Sequence, residues 1–184
     1  TLGATRWYWT RPGAGNNIIQ SSAGIRLRPD GPVSFVSLRD LWVLDELGEA
    51  TRVDSTDLWP GGFHHDVVEL PSGHFVALGY DFREVQTNQG TERLVGDALV
   101  EFDLDGNLYW EWSTFDHLDV NRRRDGFDIL VHSPIDDLEY ADWTHANAVV
   151  YDETRDLFVV SLRHQDWLLG VDHDLDVRPA SPWF

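Results

Sequence analysis

Alternation with a period of two runs through this chain in short bursts, each closed by turn residues, and almost nothing repeats with helical period. The strongest unit is Asp97-Ala-Leu-Val-Glu-Phe-Asp-Leu-Asp-Gly-Asn-Leu-Tyr-Trp-Glu-Trp112, where Asp105-Gly106 separates two alternating strands and predicts a hairpin. Before it, Val67 to Leu70, the turn Pro71-Ser72-Gly73, and His74 to Leu78 predict a second hairpin, so the two join into a four-stranded meander. The fold class is therefore all-β.

The meander recurs. An earlier copy runs from Gly24 through Val33 to Leu38 and Leu41 to Leu44, ending at Glu46 to Val53. A later one runs from His145 through Tyr151 and Leu157 to Leu162, ending at Trp167 to Asp172. A β unit repeating every ~40 to 50 residues predicts a β-propeller of four-stranded antiparallel blades. The opening segment, Leu2 to Trp9, matches the tail of such a blade. The expected organisation is a single partial propeller domain over 1–184, with about three blades. Its parts are a blade tail over 1–12, blades over 18–54, 62–112 and 142–178, and an insertion over 113–141, with a shorter insertion over 81–96. Because propellers close with ~4 to 8 blades, the chain reads as part of a larger ring. A β-sandwich built from the same strands is the alternative.

Charge narrows the partners. All 14 basic residues are arginine against 32 acidic ones, a net charge of −18. Nucleic acid is thereby a poor partner, since binding a phosphate backbone needs a basic footprint. No stretch approaches the ~20 apolar residues of a membrane span, so no membrane insertion is expected. Zero cysteines remove disulfides, thiolate nucleophiles and cysteine metal sites.

Histidines gather at corresponding places in two repeats. Aligning Phe63-His-His-Asp-Val-Val with Thr144-His-Ala-Asn-Ala-Val-Val sets His64 on His145 and Asp66 on Asn147, at the start of each repeat's first strand. First strands line a propeller's channel, so the two imidazoles would meet in one cleft. Strand alternation places His64 and Asp66 on one face and His65 on the other. His64, His65 and Asp66 are also the right ligand types for a metal, although spacing fixes no further ligand and no metal is expected. In Ser161-Leu-Arg-His-Gln165 an arginine and a histidine stand together, Arg163 lying 18 residues after His145 and one hairpin return away. Arg163 or His164 would face the same channel, and a guanidinium fork suits a sulfate, phosphate or carboxylate. Trp143 and Trp167 are candidates to stack on an aromatic ligand.

Asp142-Trp-Thr-His-Ala-Asn-Ala-Val-Val-Tyr-Asp152 followed by Ser161-Leu-Arg-His-Gln165, with Phe63-His-His-Asp66 upstream, resembles the bacterial arylsulfate sulfotransferases over about residues 60 to 175. The resemblance implies a six-bladed propeller. It also implies movement of a sulfuryl group from a phenolic sulfate ester to a phenol, without the nucleotide donor PAPS, through a transiently sulfated histidine. On that basis His145, Arg163 and one of His64 and His65 are catalytic, and Asn147, His164 and Trp143 contact substrate. No cofactor is implied. The partners are a small aryl sulfate donor and a phenolic acceptor, a homodimer is one expectation for the assembled protein, and the location is periplasmic or extracellular. Ala148 and Leu162 depart from serines usual in the family, and the sulfated histidine is expected after the Arg-His-Gln run, beyond this stretch.

Two competing readings stay open. One is a non-catalytic ligand-binding or scaffolding propeller, and the other is a metal-dependent hydrolase using His64, His65 and Asp66. Within the longer insertion, Arg122-Arg123-Arg124 either steers an anionic donor or forms a solvated loop balanced by Asp119 and Asp125, and the insertion is a candidate lid.

Overall fold

The computed structural model describes residues 22–28, 31, 33–37, 39–123 and 129–173. The blade tail expected over 1–12, along with Arg124 and Asp125, lies outside the described residues. What is described is all-β, mostly antiparallel, with few helices, in three sheets that close no barrel or ring. No described helix is long and apolar enough to cross a membrane.

The first sheet is a meander of β1 (Ser22–Leu27), β2 (Val33–Ser37), β3 (Asp40–Leu44) and β4 (Ala50–Val53). In the second, β5 (Phe63–Glu69), β6 (Phe75–Thr87), β7 (Gly90–Phe102) and β8 (Leu108–Ser113) repeat that order. The repetition extends to turn chemistry. Asp45 Oδ1 accepts from the N–H groups of Leu47 and Glu49 at 2.9 and 2.8 Å, and Asp103 Oδ1 accepts from Asp105 and Asn107 at 2.9 Å each. Gly48 and Gly106 follow at φ 82° and 84°, a left-handed backbone that glycine enters without penalty.

The segment 81–96, expected as an insertion, takes the form of a regular continuation of the β6–β7 hairpin, pairing from Asp81 with Gly96 out to Thr87 with Gly90. Its residues still alternate, so the ladder continues rather than looping out. The segment 113–141 holds α1 (Thr114–His117), capped by Ser113 Oγ accepting from Phe115 N–H at 3.2 Å. It then supplies β9 (Leu130–His132) and β10 (Glu139–Asp142), which add to the second sheet. β10 runs parallel to β7, with Asp142 beside Val95. Asp142 therefore belongs to the second sheet, and the third begins only at β11 (Ala146–Asp152), followed by β12 (Leu157–Leu162) and β13 (Trp167–Asp172).

The second sheet is packed on both faces. One side joins Phe63, Phe75, Ala77 and Phe102 to Val36, Leu41, Val43 and Val53 of the first sheet. The other joins Val76, Leu78 and Leu99 to Val149, Phe158, Val160 and Leu162 of the third. This two-sided burial explains the apolar content of β6 and β7, and truncating the fully buried Phe102 to alanine removes ~3–5 kcal/mol. Layering the sheets this way brings the starts of β5 and β11 to the same end of the molecule, beside Asp97 of β7.

Candidate active site

Each first strand bends at its start. Register slips between Ala23 and Arg26, His64 and Val67, and Ala146 and Ala148; Gly24 at φ 61° and His65 at 52° are left-handed inside their slips, and His145 at 50° is left-handed just before the third. A left-handed histidine is uncommon, and strain of this kind persists only where the surroundings impose it. The conformational match is thus His65 with His145, one residue later than the sequence alignment of His64 with His145. It also corrects the expectation that His64 and His65 point to opposite faces. Strict alternation fails across a bulge, and the two rings meet with Nδ1 atoms 2.9 Å apart and planes at 86°.

Four imidazoles gather in this way. His65 lies edge-on to His145 with ring centroids 5.0 Å apart, and His145 lies 4.7 Å from His164. His64, only 6% exposed, stacks on Tyr80 at 4.0 Å and sets its Nε2 3.0 Å from Asp97 Oδ1. Asp97 also accepts from the Thr144 hydroxyl and from Ala146 N–H at 2.8 Å, so one carboxylate of the second sheet holds both histidine-bearing bends. A second carboxylate, Asp142, takes His145 Nδ1 at 2.5 Å, while its backbone carbonyl accepts from His164 Nδ1 at 2.9 Å. Neither carboxylate was singled out from sequence as functional. Asp97 interrupts the apolar run Leu94-Val-Gly-Asp-Ala-Leu-Val100, and a charge where alternation and burial demand an apolar residue was the available signal.

Burial pushes the Asp97 carboxyl up, but its bonds from His64, Thr144 and Ala146 outweigh that and hold it below the ordinary carboxylate range. His65 moves the other way. Burial, reinforced by positive neighbours at His64 and His145 whenever they are charged, lowers it to about 4, so its ring is neutral near pH 7. Burial and the Asp97 and Asp142 charges raise Tyr80 to about 12, which keeps its hydroxyl a proton donor.

Asp66 is a structural anchor rather than a partner of the imidazoles. It accepts from Arg26 at 2.6 Å, Val149 N–H at 3.0 Å and Val67 N–H at 3.0 Å, tying the three first strands together. The metal set His64, His65 and Asp66 is therefore not formed. Among the described residues, Asp142, His145 and His164 offer ligand atoms within 4.8 Å of one another. The Nδ1 atoms of both rings are engaged by the hydrogen bonds to Asp142 given above.

The remaining expected residues differ in placement. Arg163 opens a 3-10 turn, Arg163–Gln165, and is exposed, with its backbone N–H on His145 carbonyl oxygen at 3.0 Å. Asn147 is exposed in the β11 bulge. Trp143 is 4% exposed, packs on Phe115 and donates its indole N–H to Arg122 carbonyl oxygen at 3.0 Å, which makes it a packing residue here rather than a stacking surface for substrate. Arg122 is an exposed loop residue, yet it is not without contacts. It donates to Gln165 carbonyl oxygen at 3.0 Å and lies 3.8 Å over the Trp167 ring, clamping the turn that carries Arg163 and His164. Arg123 pairs with Glu92 at 2.8 Å.

An all-β frame that collects four imidazoles around buried carboxylates, with the exposed Arg163 next in sequence to one of them, has the makings of a histidine-centred group-transfer site. The family model for arylsulfotransferase (ASST) matches residues 1–178 of the 184-residue chain, and the chain belongs to that family. A search of curated proteins found no match.

Proposed function

We propose that this chain contributes to a PAPS-independent sulfotransferase, which moves a sulfuryl group from a phenolic sulfate ester to a phenol by way of a sulfated histidine. The observation that carries the reading is the convergence of His64, His65, His145 and His164 on Asp97 and Asp142, with the Arg163 backbone N–H on the His145 carbonyl. A histidine nitrogen attacks sulfur, the S–O bond to the aryl group breaks, and the departing phenolate takes a proton. The acceptor phenol then attacks sulfur, the N–S bond breaks, and the phenol's proton passes to a neutral imidazole.

Sulfuryl transfer resembles phosphoryl transfer in spreading charge over peripheral oxygens, so positioned donors carry most of the catalysis. Arg163 supplies a fork of such donors. The donation of His145 Nδ1–H to Asp142 leaves Nε2 as that ring's lone-pair nitrogen, available to reactant. Local cations also counter the overall −18 charge, which would otherwise repel an anionic donor, and screening over ~8 Å at physiological salt confines that repulsion. The three sheets are read as successive blades of a six-bladed propeller, acting in the periplasm or outside the cell.

The test is to incubate the full-length chain with a chromogenic aryl sulfate, with and without phenol, and to follow histidine peptides by mass spectrometry. The expected result is one added sulfuryl group that discharges onto phenol, with turnover falling ~100-fold or more in His145→Asn and Arg163→Ala. Asparagine tolerates the left-handed backbone at position 145, so that loss reports chemistry. Absence of both adduct and acceptor-dependent release overturns the reading and leaves a channel that binds without reacting.

A further inference from the structure

We infer that Asp97, His64 and His65 form a proton relay that deprotonates the acceptor phenol, with His65 Nε2 as the base and Asp97 as the residue that sets the direction of the relay. The inference rests on the sulfuryl-transfer reading and assigns a step within it.

The geometry leaves little choice of proton positions. Two Nδ1 atoms 2.9 Å apart can share one proton but not two, and with none they would repel. His64 Nε2 lies 3.0 Å from Asp97 Oδ1 without hydrogen-bond alignment, and since a bare nitrogen there would set its lone pair against an ionised carboxylate, charge favours the His64 proton on Nε2. His64 Nδ1 is then the acceptor, His65 Nδ1–H the donor, and His65 Nε2 bears the lone pair. His65 is also the more accessible ring, half-buried where His64 is buried. The left-handed backbone at His65 is what turns its ring against His64 instead of letting it alternate to the other face.

The relay resolves a conflict. His65 is lowered to about 4, so alone it is a poor resting place for a proton. In the relay it need not keep one. As the phenol O–H bond breaks, N–H forms at His65 Nε2, and the proton on His65 Nδ1 crosses to His64 Nδ1. His65 ends neutral, and the positive charge rests on His64 against the Asp97 carboxylate. Asp97 does not itself become protonated. The Thr144 hydroxyl and the Ala146 N–H hold that carboxylate from the other side, so it cannot turn away from His64.

Asp97→Asn reverses the polarity. The asparagine carbonyl keeps the Thr144 and Ala146 bonds, its NH2 faces His64 Nε2, the proton of His64 moves to Nδ1, and His65 becomes protonated on Nε2. The full-length variant is assayed with a fixed aryl sulfate donor and two acceptors, phenol and an electron-poor phenol already ionised at the assay pH. The expected result is a ~100-fold or greater loss for phenol and less than ~10-fold for the ionised acceptor, since the latter needs no base. Equal losses for both acceptors overturn the relay, because a merely structural role would penalise them alike. Nitrogen-15 NMR of the histidines in the wild-type protein gives an independent readout. Protonated Nε2 on His64 with bare Nε2 on His65 is expected, and the opposite pattern overturns the relay whether or not the variant folds. Failure of sulfuryl transfer in the wild type with the expected histidine pattern intact would instead locate the error in the reaction class.

Discussion

At the scale of single residues, the pH response of this protein is set by histidines shifted in opposite senses. The folded value of His65 is about 4 against ~6.5 in the unfolded chain, so on acidification the unfolded chain takes the proton first. The stability held by a neutral His65 is complete above about pH 6.5 and drains away between there and about pH 4. His173 behaves oppositely. Burial alone would lower it, but Glu101 at 2.8 Å and Asp156 at 2.9 Å outweigh that and raise it, so its contribution is complete below about pH 6.5 and is lost as pH rises through the raised value. Thermal unfolding followed across this range is expected to show a midpoint that falls on the acid side in the wild type and falls less in His65→Asn, which keeps the left-handed backbone. Glu101 also holds His74 at 2.7 Å, so two of the histidines that sequence gave no catalytic role are satisfied by one buried carboxylate. The candidate histidines were legible because their motif spacing is a local property. Asp97 was not, because what makes it part of the site is contact across 47 residues to Thr144, whereas Asp142 sits only three residues before His145 and its part depends on the left-handed backbone there, which no periodicity announces.

At the scale of elements, each first strand has a left-handed residue at or near its start, yet only two of the three are histidine. The reason is steric. A Cβ at Gly24 would sit 2.7 Å from Asp66 Cα and 2.9 Å from its carboxylate, so the first sheet can approach the second only with glycine at its bend. Gly24→Ala is expected to lower the thermal midpoint measurably while Gly48→Ala, also left-handed but open around its Cβ, costs only its backbone strain of ~1–2 kcal/mol. Asp66 is the other half of that contact. Removing it in Asp66→Ala strands the buried Val149 N–H and unpairs Arg26, an expected loss of about 3 kcal/mol by urea unfolding. The meander, its turns and their repetition were readable in advance, because a turn needs particular residues at particular positions. That the 81–96 insertion takes the form of a hairpin extension is written in its preserved alternation, which length alone does not reveal.

At the scale of the whole molecule, the −18 charge is a standing self-repulsion that folding intensifies by compaction. Adding salt from low concentration to ~1 M shrinks the screening length from ~10 Å or more to ~3 Å, so the thermal midpoint is expected to rise with sodium chloride. A midpoint that is flat or falling would show that the exposed pairs, such as Arg83 with Asp116 at 2.7 Å, offset the excess. Asp97 adds an ordering in time to this picture. Its carboxylate belongs to the second sheet but is dried only when the bend of the third arrives with Thr144 and Ala146. Contacts closed over so many residues form late, so a half-docked intermediate would own nearly all its strands and none of its chemistry. Recovery of turnover after refolding would then lag behind recovery of sheet, marking the moment when the layers lock.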